Sequence, residues 1–267
     1  MKKLLLLTSS FILLFSCSQY KEDYRNIKIL TDKGEIVIRL YNETPKHRDN
    51  FIKLSEEKYY DGQIFHRIIS NFVVQGGDPT TKDAKPDSLY GNGGPDYLID
   101  AEFVDTLIHK RGAVGMAREG DDINPEKKSA GSQFYIVTGK IFTNKQLDAL
   151  EIKIESKNKS NLYKKLFDEK LALHKNQNKI DTVSLSLDVS MAFDSIYATQ
   201  PKFKLTEKQR KIYTTIGGIP HLDRNYTVFG EVIQGMDIVD ELSSVNTDQN
   251  DRPLKDIKFS ISVLKSN

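Results

Sequence analysis

Cysteine is almost absent from this chain: Cys17 is the single one in 267 residues, so no disulfide forms within it. The five histidines, His47, His66, His109, His174 and His221, fall at spacings that match no metal motif. Neither a Walker sequence nor a G-x-S-x-G elbow is present, which removes phosphate-loop and nucleophile-elbow chemistry. No cofactor or metal is therefore expected. Excess charge is missing too. Lys plus Arg number 39 against 37 Asp plus Glu, a formal net charge of +2, which gives no reason to expect nucleic acid as a partner. No internal repeat is visible. What is present, 38% hydrophobic and 28% charged residues, fits a soluble globular body.

The first residues stand apart from that body. Met1-Lys2-Lys3 is a short basic start, and Leu4 to Phe15 is an apolar stretch broken only by Thr8, Ser9 and Ser10. It is too short to span a bilayer but suits the apolar region of a signal peptide, expected over 1–16. Leu14-Phe15-Ser16-Cys17 resembles a lipobox, in which the cysteine is lipidated and becomes the mature N-terminus. Cys17 is thus the expected lipidation site, with 17–25 as a polar tether. Acyl chains hold such a protein to a membrane because each buried methylene contributes about 0.8 kcal/mol. The expected location is the bacterial cell envelope, facing the periplasm or the outer surface.

Two β-rich runs, 27–30 and 35–40, flank Thr31-Asp32-Lys33-Gly34 and read as a hairpin. Thr44-Pro45 reads as a helix N-cap with proline at the first helical position. Phe65 to Val74 reads as a strand pair with a polar break at Ser70-Asn71. Residues 79–98, rich in Gly, Pro, Lys and Asp, form a surface loop. Further strands are expected at 113–117, 134–137, 227–233 and 257–263, with a short amphipathic helix at 236–242. Many short strands and two helices predict a mainly β fold, a closed barrel capped at its ends. From 143 to 211 the rhythm changes: the segment has no glycine and a net charge of about +5. Leu147, Leu150, Ile154, Leu162, Leu166 and Leu171 stand at partly helical spacing, and Thr206-Glu207-Lys208-Gln209 resembles a capping box. This predicts a helical insertion, although Val183 to Val189 alternates like a strand.

Three blocks carry a resemblance. The first is Phe65-His66-Arg67-Ile68-Ile69 followed by Asn71-Phe72-Val73-Val74-Gln75-Gly76-Gly77-Asp78. The second opens with Met116-Ala117-Arg118 and closes with Gly131-Ser132-Gln133-Phe134-Tyr135-Ile136-Val137. The third runs from His221-Leu222-Asp223 to Tyr226-Thr227-Val228-Phe229-Gly230-Glu231-Val232. In this order they resemble the signatures of the cyclophilins, over roughly 26–142 and 213–265. The resemblance implies a closed eight-stranded antiparallel barrel with two helices, here spanning 26–265 and interrupted by the insertion. It implies peptidyl-prolyl cis/trans isomerase activity on proline-containing peptides; with the export signal, unfolded exported proteins are the expected substrates, and a monomer is expected.

The chemistry asks for little. Amide resonance sets a rotation barrier of roughly 18–20 kcal/mol, and lowering it by about 7 kcal/mol gives about a 10⁵-fold acceleration. An apolar pocket for the pyrrolidine ring and a fixed donor near the prolyl nitrogen suffice, because that donor favours the pyramidal nitrogen of the transition state. The guanidinium of Arg67 is such a donor. Gln75, eight residues on across the polar break, is placed to face it on the adjacent strand. By resemblance Arg67 is the catalytic residue and Gln75, the other member of the catalytic pair, its neighbour and a substrate contact, while Phe72, Val73, Tyr135 and Leu222 line the pocket. Ala117 and Arg118 match the backbone that holds the residue before proline, and Gln133 and Tyr226 complete the binding surface. Val73, Tyr135 and Tyr226 stand where Met, Phe and His are common. His221 stands where some members have Trp, the residue associated with tight cyclosporin binding. Arg118 replaces a commoner Asn, and His66 holds a position that is structural in the family. A second reading makes the groove a non-catalytic prolyl-peptide binder or chaperone, with the insertion as a partner-docking arm.

Overall fold

In a computed structural model, which describes residues 25–86, 88–173 and 181–264, the chain opens with an antiparallel hairpin. β1 (Arg25–Thr31) and β2 (Gly34–Leu40) pair from Arg25↔Leu40 to Thr31↔Gly34. The two-residue turn is held by Thr31 Oγ1, which accepts from the Lys33 and Gly34 amides at 3.1 and 3.2 Å. The expected signal stretch 1–16, Cys17 and nearly all of the tether lie outside the described residues.

α1 (Pro45–Glu56) begins with proline at its first position, as expected, but Thr44 makes no side-chain cap. The cap comes from Glu102, whose carboxylate accepts from the Lys46 and His47 amides at 3.1 and 3.0 Å. A carboxylate takes two orphan donors and also suits the positive end of the helix dipole.

The remaining strands of the main sheet are β3 (Gln63–Ile64), β4 (Arg67–Ile69), β5 (Val73–Gly76), β7 (Ala113–Met116), β9 (Phe134–Val137), β10 (Val228–Gln234) and β11 (Lys258–Val263). β6 (Leu98–Ile99) and β8 (Ser129–Ala130) form a separate two-stranded ladder. The main sheet runs β3-β11-β1-β2-β10-β7-β9-β5-β4, antiparallel at each pairing. Its edges, β3 and β4, are separated in sequence only by Phe65 and His66, so the sheet curls until the chain itself bridges the seam. The expected eight-stranded closed barrel is thus met as a curled sheet. β3 and β4 act as one bent strand, and no ladder joins them among the described residues. Phe65 at the bend is fully buried in the core, which holds the bend in place.

Alternation along the strands sorts side chains to two faces. Val74, Val114 and Ile136 point into the barrel with Phe51 and Leu54 of α1 and Val239 and Leu242 of α5 (Met236–Ser243). Their neighbours Val73, Ala113, Tyr135 and Val137 point outward and form a second apolar cluster with Ile219, Leu222 and Val228. That outer cluster is the ground on which the candidate site stands.

The 143–211 segment holds α2 (Asn144–Leu173), α3 (Thr182–Thr199) and most of α4 (Glu207–Thr215), which runs past residue 211. The strand-like run 183–189 is helical. Asp181 caps α3 by accepting from the Val183 and Ser184 amides, and Leu185, Val189, Ala192 and Phe193 share one face against Leu162, Leu166, Phe167 and Leu171 of α2. Burial on α2 selects the helical period over local alternation. The expected capping box at Thr206-Gln209 is formed. Near the barrel, α2 and α4 are pinned by Glu151, which accepts from Leu205 N at 3.0 Å, Lys204 Nζ at 2.7 Å and Arg210 Nη1 at 2.9 Å. Ile108, Leu147, Leu205 and Tyr213 bury together there. Among the described residues no helix is long and apolar enough to cross a membrane.

Candidate active site

Strand register builds the site. Arg67 on β4 is the partner of Gln75 on β5, Gln75 of Tyr135 on β9, Tyr135 of Gly115 on β7, and Gly115 of Val228 on β10. Five residues from five strands therefore lie in one row on the outer face. The row is possible because Gly115 has no side chain: a Cβ there would lie 2.5 Å from Cζ and Oη of Tyr135. Asn71, with φ of 58°, makes the tight turn between β4 and β5. That left-handed conformation is one Asn tolerates better than most residues.

A cleft of about 300 Å³ opens over this row. Of the ten residues singled out in the sequence, Arg67, Phe72, Val73, Gln75, Ala117, Arg118, Tyr135, Leu222 and Tyr226 line it, joined by His66, Tyr90, Gly91 and Asn92. Gln133 stands behind them and acts through contacts. Its Nε2 donates to the carbonyls of Gly91 and Gly93, both at 2.8 Å, and its Oε1 faces Gln75 Nε2 at 3.3 Å. Gln75 Oε1 in turn faces Arg67 Nη1 at 3.4 Å. Both contacts are long, so the guanidinium is oriented without being saturated. On its other side, Nε of Arg67 lies 3.4 Å from the Asp251 carboxylate. The floor of the cleft is Val73, Tyr135 and Leu222, and Phe72 stacks on His221 with ring centroids 6.0 Å apart and an interplanar angle of 1°.

The Gly76-Gly77-Asp78 signature supports this row from behind. Gly77 has φ of 99°, and a Cβ there would lie 2.2 Å from the Ser132 carbonyl oxygen. Asp78 accepts from Gly91 N at 2.7 Å, Gly93 N at 3.1 Å and Thr80 N at 2.9 Å, fixing the loop that Gln133 binds. Burial alone would raise its pKa. Hydrogen bonds from the Thr80 hydroxyl and the Gly91, Thr80 and Gly93 amides outweigh burial and hold the carboxyl below its ordinary range.

Arg118 has a definite role. Its Nε donates to Asn225 O at 2.6 Å, its Nη1 to Glu119 O at 2.8 Å and its Nη2 to Asp121 at 2.7 Å. The guanidinium also lies 4.6 Å over the Tyr226 ring. It clamps the 221–226 loop to the 118–131 loop and props Tyr226 at the cleft edge, which a shorter Asn cannot do. Ala117 has both backbone groups engaged: its amide donates to Gln133 O and its carbonyl accepts from Ala130 N. The Ala117 carbonyl keeps a second lone pair for a peptide amide.

His66 is 4% exposed, and neither ring nitrogen has a hydrogen-bond partner among the described residues. Burial, opposed by the nearby Asp78 charge, lowers its pKa to about 4. Between pH 6.5 and 4 the unfolded chain binds a proton at this histidine that the folded chain rejects, so stability falls as pH falls through that window. At pH 5 the expected loss from His66 is about 2 kcal/mol relative to neutral pH. Urea unfolding at pH 7 and pH 5 checks this, with His66→Leu expected to lose less over the same interval. Equal losses in the two proteins would show that His66 does not titrate this way.

Gly115, Asp251, Asp223 and Tyr213 also serve the site, through contacts that no local sequence pattern marks. Among the described residues no cluster of His, Cys, Asp or Glu is suited to a metal ion. A larger cleft of about 490 Å³ runs along Ser260–Leu264 beside Arg25 and Lys58 and contains none of the residues expected from the sequence to form the site.

The chain is similar to known proteins of one family. The family model described as cyclophilin type peptidyl-prolyl cis-trans isomerase/CLD matches residues 26–173 and 198–263. A Staphylococcus saprophyticus protein named as a peptidyl-prolyl cis-trans isomerase is 28% identical over 228 residues, covering 85% of each chain. A Streptococcus pyogenes protein named as a bifunctional phosphatase/peptidyl-prolyl cis-trans isomerase is 30% identical over 234 residues; the match covers 86% of this chain but only 37% of that longer one. Among solved structures, a cyclophilin-type peptidyl-prolyl cis-trans isomerase of Cryptosporidium parvum superposes with a TM-score of 0.53 at 20% identity. It covers 91% of this chain and 99% of its own.

Proposed function

The chain belongs to the cyclophilin-type peptidyl-prolyl cis-trans isomerase family, and from that premise we propose that its cleft isomerises X-Pro bonds of exported proteins, with the protein held to the cell envelope through a lipid on Cys17. The observation that carries the catalytic part is the Arg67–Gln75 pair, in strand register beside a floor of Val73, Tyr135 and Leu222. The apolar floor takes the pyrrolidine ring, and the guanidinium donates to the prolyl nitrogen as it becomes pyramidal. The donor is fixed before the reaction begins, so little reorganisation is needed at the transition state. Arg118 and Tyr226 close one side of the groove around the residues flanking proline. No proton is transferred, which leaves the unpaired His66 without a catalytic duty.

The export and anchoring part is supported by the basic start, the apolar run 4–15 and the Leu14-Phe15-Ser16-Cys17 sequence. The protein acts as a monomer in this reading. Refolding of a protein limited by a slow X-Pro step tests the catalytic part. Catalytic amounts of the full chain are expected to shorten that phase, which uncatalysed takes tens of seconds or longer. An unchanged slow phase, with the chain bound to the refolding protein, would instead favour a non-catalytic binder.

A further inference from the structure

Tyr135 places a hydroxyl at the bottom of an otherwise apolar floor, and the fold supplies a specific chain of partners for it. Its hydroxyl lies 2.9 Å from His109 Nε2. His109 Nδ1 lies 2.9 Å from Asp223 Oδ1, which also accepts from the His109 amide at 2.8 Å. The second carboxylate oxygen, Oδ2, accepts from the Tyr213 hydroxyl at 2.6 Å. Tyr213 belongs to α4, two residues beyond the 143–211 segment, on the helix that leads out of it. All four side chains are nearly or fully buried: Tyr213 and His109 at 0%, Tyr135 at 3% and Asp223 at 6% exposure. Burial raises the Tyr135 and Tyr213 hydroxyls well above their usual pKa, so both remain neutral donors.

The order of donors follows from the chemistry of the groups. A carboxylate only accepts, so Nδ1 of His109 carries the hydrogen toward Asp223, and in the neutral ring Nε2 is left to accept. The Tyr135 hydroxyl is thereby tied to His109 and turned away from the cleft. The hydroxyl end of Tyr135 is held twice, with Cζ, Oη and Cε2 lying over Gly115 and the hydroxyl tied to His109, and Tyr226 stands edge-on at 6.1 Å.

We propose that Tyr213, Asp223 and His109 are positioning residues for Tyr135, so that α4, the helix leading out of the 143–211 segment, sets the shape and polarity of the proline pocket floor. This rests on the isomerase reading of the cleft. None of the three lines the cleft; they reach the substrate through Tyr135, and His109 also meets Tyr226 edge-on at 6.5 Å. The floor touches the proline ring in ground state and transition state alike, so loosening it weakens binding without changing the chemical step.

The test uses the full chain, ¹⁵N-labelled at histidine, with an Ala-Pro peptide as probe, and reads peptide Kd by NMR titration alongside cis/trans exchange at saturation. Tyr213→Phe is expected to raise Kd about fivefold with saturated exchange within about twofold of wild type, and to shift both His109 ring nitrogens. In a Tyr135→Phe background the same substitution is expected to change Kd by less than about twofold, because the element it positions is already untied. Additive effects in the two backgrounds, or His109 resonances unmoved by Tyr213→Phe, would overturn the proposal. If Tyr213→Phe does not fold, Tyr135→Phe, which leaves α4 intact, must by itself raise Kd about fivefold and shift His109 Nε2; failure of either sinks the idea. Absence of exchange in wild type would refute the isomerase reading alone, since Kd and the nitrogen shifts report on the positioning network without turnover.

Discussion

Replacing Arg67 by Ala is expected to lower kcat/KM on a prolyl peptide by about 10²- to 10³-fold, the usual cost of removing one fixed donor from a transition-state site. The loss should appear in kcat, because the donor is matched to the pyramidal nitrogen and only weakly to the planar amide. Arg67→Lys should recover part of it. The charge is retained, but the rigid fork that addresses Gln75 and the substrate together is not. Folding should be little affected. Arg67 sits at the edge of the sheet, is half-exposed and makes only long contacts with Gln75 and Asp251. Steady-state rates beside a urea melt of each variant check this. An Arg67→Ala protein that is stable and within about threefold of wild-type activity would remove Arg67 from the mechanism.

The second large effect is on stability. Gly218→Ala is expected to destabilise the protein by about 4 kcal/mol, combining backbone strain with overpacking. Gly218 has φ of 150° and bridges Lys110 on one side and Lys140 on the other, where the chain returns from the insertion. A Cβ there would lie 2.2 Å from the His109 carbonyl oxygen and 2.8 Å from both Lys110 Cα and Tyr213 Cε1. Two of those atoms are backbone, so neither can swing aside. The distortion reaches His109 and Tyr213 directly, so a weakened prolyl-peptide affinity should accompany the lowered urea midpoint. A loss below about 1 kcal/mol would show that the returning chain packs less tightly here than the structure has it.

What was legible in the chain was mostly local. The facing of Arg67 and Gln75 follows from eight residues symmetric about a turn at Asn71, where period-two alternation leaves one register. The β1–β2 hairpin and the Thr206 capping box are equally short-range. The N-cap of α1 was not legible. Thr44 has the right side chain, but Glu102 reaches the helix end from 55 residues away. The helical state of 183–189 was hidden for a related reason: alternation in seven residues is compatible with either period until Leu185 and Val189 find α2. The Tyr135 hydroxyl announces that it needs a partner. Nothing in the sequence points to His109, 26 residues earlier, or to an Asp223 carboxylate shared with Tyr213. Gly115 carries a similar lesson, since its necessity appears only once the Tyr135 ring lies across it.

The central claim is that this cleft catalyses rotation about X-Pro bonds, and two-dimensional exchange NMR on an Ala-Pro peptide tests it most directly. With the full chain present in substoichiometric amount, cis and trans resonances are expected to exchange within a mixing time of under about a second, against tens of seconds or longer without it. Cis and trans signals that shift on binding yet show no exchange above the uncatalysed rate would contradict the claim and leave the cleft a binding site for proline.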